Sequence, residues 1–253
     1  MELALSFITA IFVGGIAGFL GSLLITERMA LVGGPLGHMA LPGVAIALVY
    51  GIDIFWGALA AIAFSAFLIW ILSLKSQLPL ETLTAVVFAA TVSLGFLILP
   101  IEKAEGALIG DITRVNLFDA VLAIVLALGV FIVVKNIYSK MVLAGISKDL
   151  AKSRGVNVKK YNFIYLIAIA LVVVVEVKIV GILLTSALMA LPAAAASNFS
   201  RTLGQYTYLA LFIGVFGAVL GMILFVITGL PAGPLIVLTS AFVFFVSLFF
   251  KKS

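Results

Sequence analysis

Residues 27–44 read ERMALVGGPLGHMALPGV, and the interpretation of the whole chain starts from this stretch. It holds the one histidine of the sequence, His38, together with two prolines and four glycines: Pro35, Pro42, Gly33, Gly34, Gly37 and Gly43. Because proline removes a backbone donor and glycine loosens the chain, we expect the helix to be broken here. Irregular backbone at membrane depth persists only where protein buries it or where it lines a watery cavity. The stretch is therefore a candidate translocation path.

The composition outside this stretch is that of a membrane protein. The 253 residues are 65% hydrophobic and only 10% charged, whereas soluble domains carry about 25% charged residues. No segment shows the alternation of a membrane barrel strand. We therefore expect an all-α, polytopic helical bundle in which residues 1–253 form a single transmembrane domain. The absence of cysteine excludes disulfides and thiolate metal ligands.

A membrane-spanning helix needs roughly 20 apolar residues, and this length predicts about nine spans. They lie near 3–25, 35–50, 54–74, 82–100, 117–134, 161–177, 179–196, 206–227 and 233–250. The run 161–196 would be about 54 Å long as one helix, too long for one crossing, so we divide it near residues 176–180. Without that division the count is eight.

Charge favours nine spans over eight. The polar segment 135–160 carries seven basic residues against one acid, and we place it in the cytoplasm. Nine spans then put twelve basic residues inside and three outside, whereas eight spans give nine and six. The N-terminus is then outside and the C-terminus cytoplasmic. The outer face becomes acidic, which would concentrate a cation there. On that face we expect Glu176 to mark the membrane boundary and to pair with Lys178 or neighbouring groups.

The centre of the cytoplasmic segment, residues 145–155, has the pattern of a short capped helix. Ser147 is the predicted N-cap, Asp149 lies in the first turn, Arg154 in the last, and Gly155 follows the helix. An ordinary loop helix touching lipid headgroups fits the same residues.

Five segments, in order along nearly the whole chain, resemble the permease subunit of the ABC-3 family of zinc and manganese importers. They are RMALVG with HMALPGV (28–33 and 38–44), IGDI (109–112), GISKDLAKSRGV (145–156), VGILLTSALMALPAAAA (180–196) and LPAGPLIV (230–237). The resemblance implies a type II ABC importer architecture and a homodimer of permeases in the cell membrane. It also implies two cytoplasmic ATPases and an external metal-binding protein. It makes 135–160 the coupling segment, in which Leu150 and Ala151 would enter an ATPase groove. We expect no nucleic-acid partner.

The resemblance also implies which metal is transported and which residues contact it. The transported ion would be zinc, manganese or iron, with no permanently bound cofactor. His38 would contact it, since imidazole suits these metals, and Asp111 would meet it on entry. The family's aspartate, four residues before the histidine, is Gly34 here. The alternatives are a packing role for His38 and a helix cap for Asp111.

Other functional classes remain open at this point. The chain has no phosphate-binding loop of the Gly-x-x-x-x-Gly-Lys-Ser/Thr type, so we expect a transport subunit whose ATPase is a separate chain. One alternative is the same architecture importing a metal chelate or a cobalamin-like ligand. Another is a gradient-driven transporter without an ATPase.

Overall fold

The computed structural model describes residues 2–26, 30–99, 108–110, 112 and 115–250. Within these ranges the chain forms eleven α-helices, here numbered in chain order. They are α1 (Glu2–Thr26), α2 (Ala30–His38), α3 (Leu41–Tyr50), α4 (Ile54–Lys75), α5 (Leu80–Ile98), α6 (Leu117–Ile146), α7 (Lys148–Ser153), α8 (Val158–Val180), α9 (Thr185–Phe199), α10 (Leu203–Thr228) and α11 (Ala232–Leu248).

The expected all-α membrane bundle is confirmed. Six of the described helices, α1, α4, α5, α6, α8 and α10, are long and apolar enough to cross a membrane alone. The consecutive α2 and α3, the 15-residue α9 and the 17-residue α11 are shorter apolar segments. When α2 and α3 are counted as one segment, the described residues contain nine apolar helical segments, six long and three shorter.

Polar contacts bring alternate helix ends to one face of the bundle. The Ser6 hydroxyl, near the start of α1, donates to the Ile112 carbonyl at 2.9 Å. Lys178, near the end of α8, reaches Asp53 just before α4 and Asp119 at the start of α6. The short helix α7 follows the far end of α6, on the opposite face. This alternation agrees with antiparallel segments from α1 to α8.

Two predicted boundaries are wrong, for different reasons. The span expected at 117–134 continues as one helix to Ile146, about 45 Å in all at 1.5 Å per residue. Lysine is a good helix former, so the lysines after residue 134 end the apolar run without ending the helix. The run 161–196 does divide, but after Val180, where Gly181 takes φ 88°. Only glycine adopts such a φ without strain, and this turn signal lay just beyond the expected break.

Candidate functional site

The glycine- and proline-rich stretch is more regular than its composition predicts. Helix α2 continues through Pro35 to His38, and only Met39 and Ala40 interrupt the path into α3. The Met39 amide still donates to the Pro35 carbonyl at 3.0 Å, and the Val44 amide to the Ala40 carbonyl at 2.9 Å. The helix is broken, as expected, but only at Met39 and Ala40. One kink next to His38 remains.

Helices α2 and α3 contain several glycines because neighbouring helices approach them closely. A Cβ at Gly37 would overlap the Thr185 hydroxyl at the start of α9, and a Cβ at Gly43 would overlap the backbone of Gly57 in α4. At Gly34 a Cβ would lie 3.2 Å from the Ser186 Cβ, which is tight but not forbidden. Gly34 thus lies where α2 packs against α9.

His38 is half-buried at the end of α2. Its Nδ1 lies 3.5 Å from the Gly34 carbonyl, and its ring stands edge-on to Phe88 of α5, with 5.8 Å between ring centroids. No cluster of three or more His, Cys, Asp or Glu side chains occurs among the residues that the structure describes. Among the described residues, His38 is therefore not part of a ready-made set of metal ligands. The other predicted ligand, Asp111, lies outside the described residues.

Three charged side chains form a cluster where α4, α6 and α8 meet. The Lys178 ammonium donates to Asp119 at 2.8 Å and to the two oxygens of Asp53 at 2.9 and 3.2 Å. Partial burial opposes ionisation of Asp53. The hydrogen bonds from Lys178 and from the Phe55 amide outweigh it, and the pKa of Asp53 is lowered. Asp53 and Asp119 are thus paired with a lysine, although an acidic face was expected to attract a cation.

Glu176 does not pair with Lys178, contrary to the sequence-based expectation. Its side chain is fully buried, and neither carboxyl oxygen has a hydrogen-bond partner among the described residues. It lies inside the bundle on α8 and is not exposed on the surface of the bundle. Sequence reasoning missed its position because burial of a polar side chain depends on which helices surround it. The available signal was an acid within an otherwise apolar run.

The short helix α7 forms as predicted. The Ser147 hydroxyl accepts from the Leu150 amide at 3.2 Å, and Gly155 takes φ 73° after the helix ends. Leu150 is exposed, but Ala151 is fully buried against the rest of the protein. The two residues therefore do not form one exposed knob as expected. Ile146, at the end of α6, is also exposed, to 72%.

Comparison with known proteins places this geometry in a family. The model of the ABC 3 transport family matches residues 2–251. The manganese import system permease protein ScaB of Streptococcus gordonii is 30% identical over 246 residues, covering 96% of this chain and 88% of that protein. The high-affinity zinc uptake system membrane protein ZnuB of Buchnera aphidicola is 30% identical over 238 residues, covering 92% and 91%.

Two solved structures share the fold. PsaBC from Streptococcus pneumoniae in complex with a Fab superposes with a TM-score of 0.83 at 27% identity, covering 96% of this chain and 89% of that one. A metal-chelate type ABC transporter in an inward-facing conformation superposes with a TM-score of 0.77, covering 96% and 84%. The second is 19% identical, so it supports the fold alone.

Proposed function

Because the chain belongs to the ABC 3 transport family, we propose that it is the membrane-spanning permease subunit of an ATP-driven importer of divalent cations, manganese or zinc. The observation that carries the proposal is the match over 96% of the chain both to a manganese import permease and to the PsaBC structure. The similarity extends over nearly the whole chain, so it includes α2 and α3 around His38 as well as the helices that surround them. It therefore supports the transport role rather than the bundle architecture alone.

The described site is compatible with passage of a cation rather than with storage of one. A transport site must bind an ion strongly enough to admit it and weakly enough to release it. His38 lies beside the kink between α2 and α3, half-buried, with a ring nitrogen 3.5 Å from a carbonyl that forms at best a weak hydrogen bond. Its imidazole can therefore exchange that contact for a metal at little cost.

Energy reaches the permease from a separate ATPase through α7. Both ends of the helix are well defined, because Ser147 caps its start and the chain turns sharply at Gly155. The buried Ala151 anchors it to the bundle, while Leu150 and Ile146 present an apolar surface. Interface cores are apolar and their rims are charged, and Lys148, Lys152 and Arg154 supply such a rim. The face that carries α7 is then cytoplasmic.

The remaining partners follow from the same assignment. An external binding protein delivers the metal to the face that holds Lys178, Asp53 and Asp119, and two copies of the permease form the pore with two ATPases. Asp111 belongs to the sequence between α5 and α6 on the entry side, where its carboxylate would meet the incoming cation.

Uptake of metal by the complete transporter tests this function. The permease is reconstituted in proteoliposomes with its ATPase and binding protein, and ATP-dependent uptake of Mn²⁺, Zn²⁺ and Fe²⁺ is measured separately. We expect accumulation of manganese or zinc that requires ATP. Uptake driven by an ion gradient without any ATPase, or uptake of a metal chelate but of no free cation, would contradict the assignment.

A further inference from the structure

An open cleft of about 610 Å³ lies where α9 ends and α10 begins. Arg201 contributes a charge to its lining, and Phe199, Tyr208 and Phe212 contribute aromatic rings. Gly204 also lines the cleft, and a Cβ at this position would meet no atom within 4 Å, so no side chain narrows the cleft there. The volume falls within the range of about 300–1,000 Å³ that is usual for small-molecule sites.

The cleft lies on the face of the bundle that carries α7. The Tyr138 hydroxyl, in the last third of α6, forms a hydrogen bond with the Thr207 hydroxyl near the start of α10. The start of α10 therefore lies beside the part of α6 from which α7 follows. Tyr206 and Thr207 are buried in the bundle, whereas Tyr208 and Phe212, one turn apart on α10, are 48% and 64% exposed. The cleft thus opens away from the bundle, toward the membrane.

The cleft extends from a charged rim to an apolar wall. Arg201 precedes α10, and Phe212 lies eight residues beyond Gly204, or about 12 Å along the helix axis. Helix α10 is long and apolar enough to cross a membrane. With Arg201 at the level of the lipid headgroups, Phe212 therefore lies among the acyl chains. A soluble partner such as the ATPase would reach the rim and not Phe212, whereas a lipid reaches both.

The charge at the rim selects the kind of lipid. Arg201 is exposed, and a guanidinium group binds phosphate oxygens through two parallel hydrogen bonds. Basic residues at the membrane surface attract anionic lipids, and tyrosine is enriched at the level of the headgroups. A zwitterionic headgroup carries its own cation, which weakens the attraction to Arg201.

We propose that this cleft binds an anionic phospholipid from the leaflet on the α7 face. The lipid phosphate contacts Arg201, and an acyl chain lies along Tyr208 and Phe212. The proposed function makes this leaflet the cytoplasmic one. The inference concerns a lipid partner and not the cargo, so its test does not depend on metal uptake.

Photolabelling of the permease–ATPase complex in phosphatidylcholine liposomes tests the inference. The liposomes contain a trace of phosphatidylglycerol or of phosphatidylcholine with a photoreactive group in the acyl chain, and labelled peptides are identified by mass spectrometry. We expect phosphatidylglycerol to label α10 near Tyr208 and Phe212 more strongly than phosphatidylcholine does. Arg201→Gln should lower this preference about fivefold, as for loss of one basic residue at a membrane surface. Arg201→Lys keeps the charge and should retain most of the preference.

Lys75→Gln is the matched control, because Lys75 is an exposed basic residue in the last turn of α4, on the same face of the bundle as α7. It should leave the labelling of α10 unchanged. An equal loss of preference in Lys75→Gln and Arg201→Gln would indicate attraction by the whole basic face and would overturn the inference. Equal labelling of the wild type by the two lipids would overturn it as well.

A second copy of the permease is the other occupant that this test must exclude. The chain has no cysteine, so Tyr208→Cys provides a single thiol in the cleft. We expect no disulfide between two copies of this variant under mild oxidation in the liposomes. A disulfide-linked dimer would show that a second permease covers the cleft, and it would overturn the assignment to a lipid.

Discussion

The side chain of Lys178 in α8 connects the starts of α4 and α6 at one face of the bundle. It is 16% exposed and bonds to Asp119, which is 11% exposed, and to the more open Asp53. Removing one partner of a partly buried pair leaves uncompensated charge. We expect Lys178→Met to lower the free energy of unfolding by about 1–3 kcal/mol, between the values typical of exposed and of buried pairs. Thermal unfolding in detergent at neutral pH measures the change.

The control for this prediction is Lys152→Met. Lys152 lies 3.8 Å from Asp149, with the two side chains 69% and 96% exposed, so the loss should be below about 1 kcal/mol. The pH dependence of the unfolding free energy provides a second test of the cluster. Because the folded pKa of Asp53 lies below its ordinary value of 3.8, its stabilisation is complete above that pH. It is lost as the pH falls through the folded pKa. An equal loss of unfolding free energy in Lys178→Met and Lys152→Met would mean that the cluster of Lys178, Asp53 and Asp119 stabilises the fold no more than an exposed ion pair does.

His38 carries the second prediction at this scale. Its described contacts are the edge of Phe88 and a long approach to the Gly34 carbonyl, neither of which holds the fold. We expect His38→Ala to lower manganese or zinc uptake at least about tenfold, as for loss of a metal contact, while the permease still inserts and binds its ATPase. Uptake at the wild-type rate, at matched expression, would make His38 a packing residue.

Gly34 permits the complementary experiment. If the family pattern transfers, Gly34→Asp should tighten metal binding by restoring a carboxylate one turn before His38. The new Cβ lies 3.2 Å from the Ser186 Cβ, so Ser186 must shift by a few tenths of an ångström. Gly34→Ala adds the same crowding without the carboxylate and is the control. Equal metal affinity in the two variants would show that this chain has no use for a carboxylate on α2.

These residues show what sequence can and cannot predict at a functional site. His38 stands out from composition alone. The role of Gly37 and Gly43 does not, because the sequence does not show which helix lies opposite each glycine. Glu176 was misjudged for the same reason. Its distance from Lys178 is two residues, yet the helix directs the two side chains to different neighbours.

At the scale of elements, local signals succeeded where they are strong. The capped helix α7 could be predicted because Ser147 and Gly155 act on their own neighbours in the chain. The end of α6 could not, since lysines end an apolar run without breaking a helix. The burial of Ala151 could not be predicted, because it depends on where α7 docks against the flanking helices. Since Ala151 is buried, we expect the exposed Leu150 and Ile146 to contact the ATPase instead.

Leu150 therefore carries the prediction for energy coupling. It is 45% exposed on α7, and Leu150→Asp would bury a charge without a partner in the ATPase interface, at a cost of several kcal/mol. We expect loss of ATPase binding or of metal-stimulated hydrolysis, measured by co-purification and phosphate release, in a permease that still inserts. Lys152→Ala, at the rim, should weaken association mildly and in a salt-dependent way. Wild-type complex formation and transport in Leu150→Asp would exclude α7 as the coupling element.

At the scale of the whole molecule, the number of helical segments and the distribution of basic residues together predict the topology. Sequence could supply both, because hydropathy and charge are properties of single segments. The contact of Lys178 with Asp53 and Asp119 adds that residues near 53, 119 and 178 share one face. Because positive charge is concentrated on the opposite side, we predict that this face is exterior.

The chain has no cysteine, so single cysteines can test this topology directly. Ile52 is exposed next to Asp53, Ser153 is exposed at the end of α7, and Gly204 has open space for a side chain at the start of α10. We expect a membrane-impermeant maleimide to label Ile52→Cys in intact cells, and to label Ser153→Cys and Gly204→Cys only after permeabilisation. Gly204 separates the two counts: with eight spans it faces outward and is labelled in intact cells, because α8 and α9 then cross the membrane together. Labelling of Ser153→Cys from outside would invert the whole orientation and would place α7 beyond the reach of any cytoplasmic ATPase.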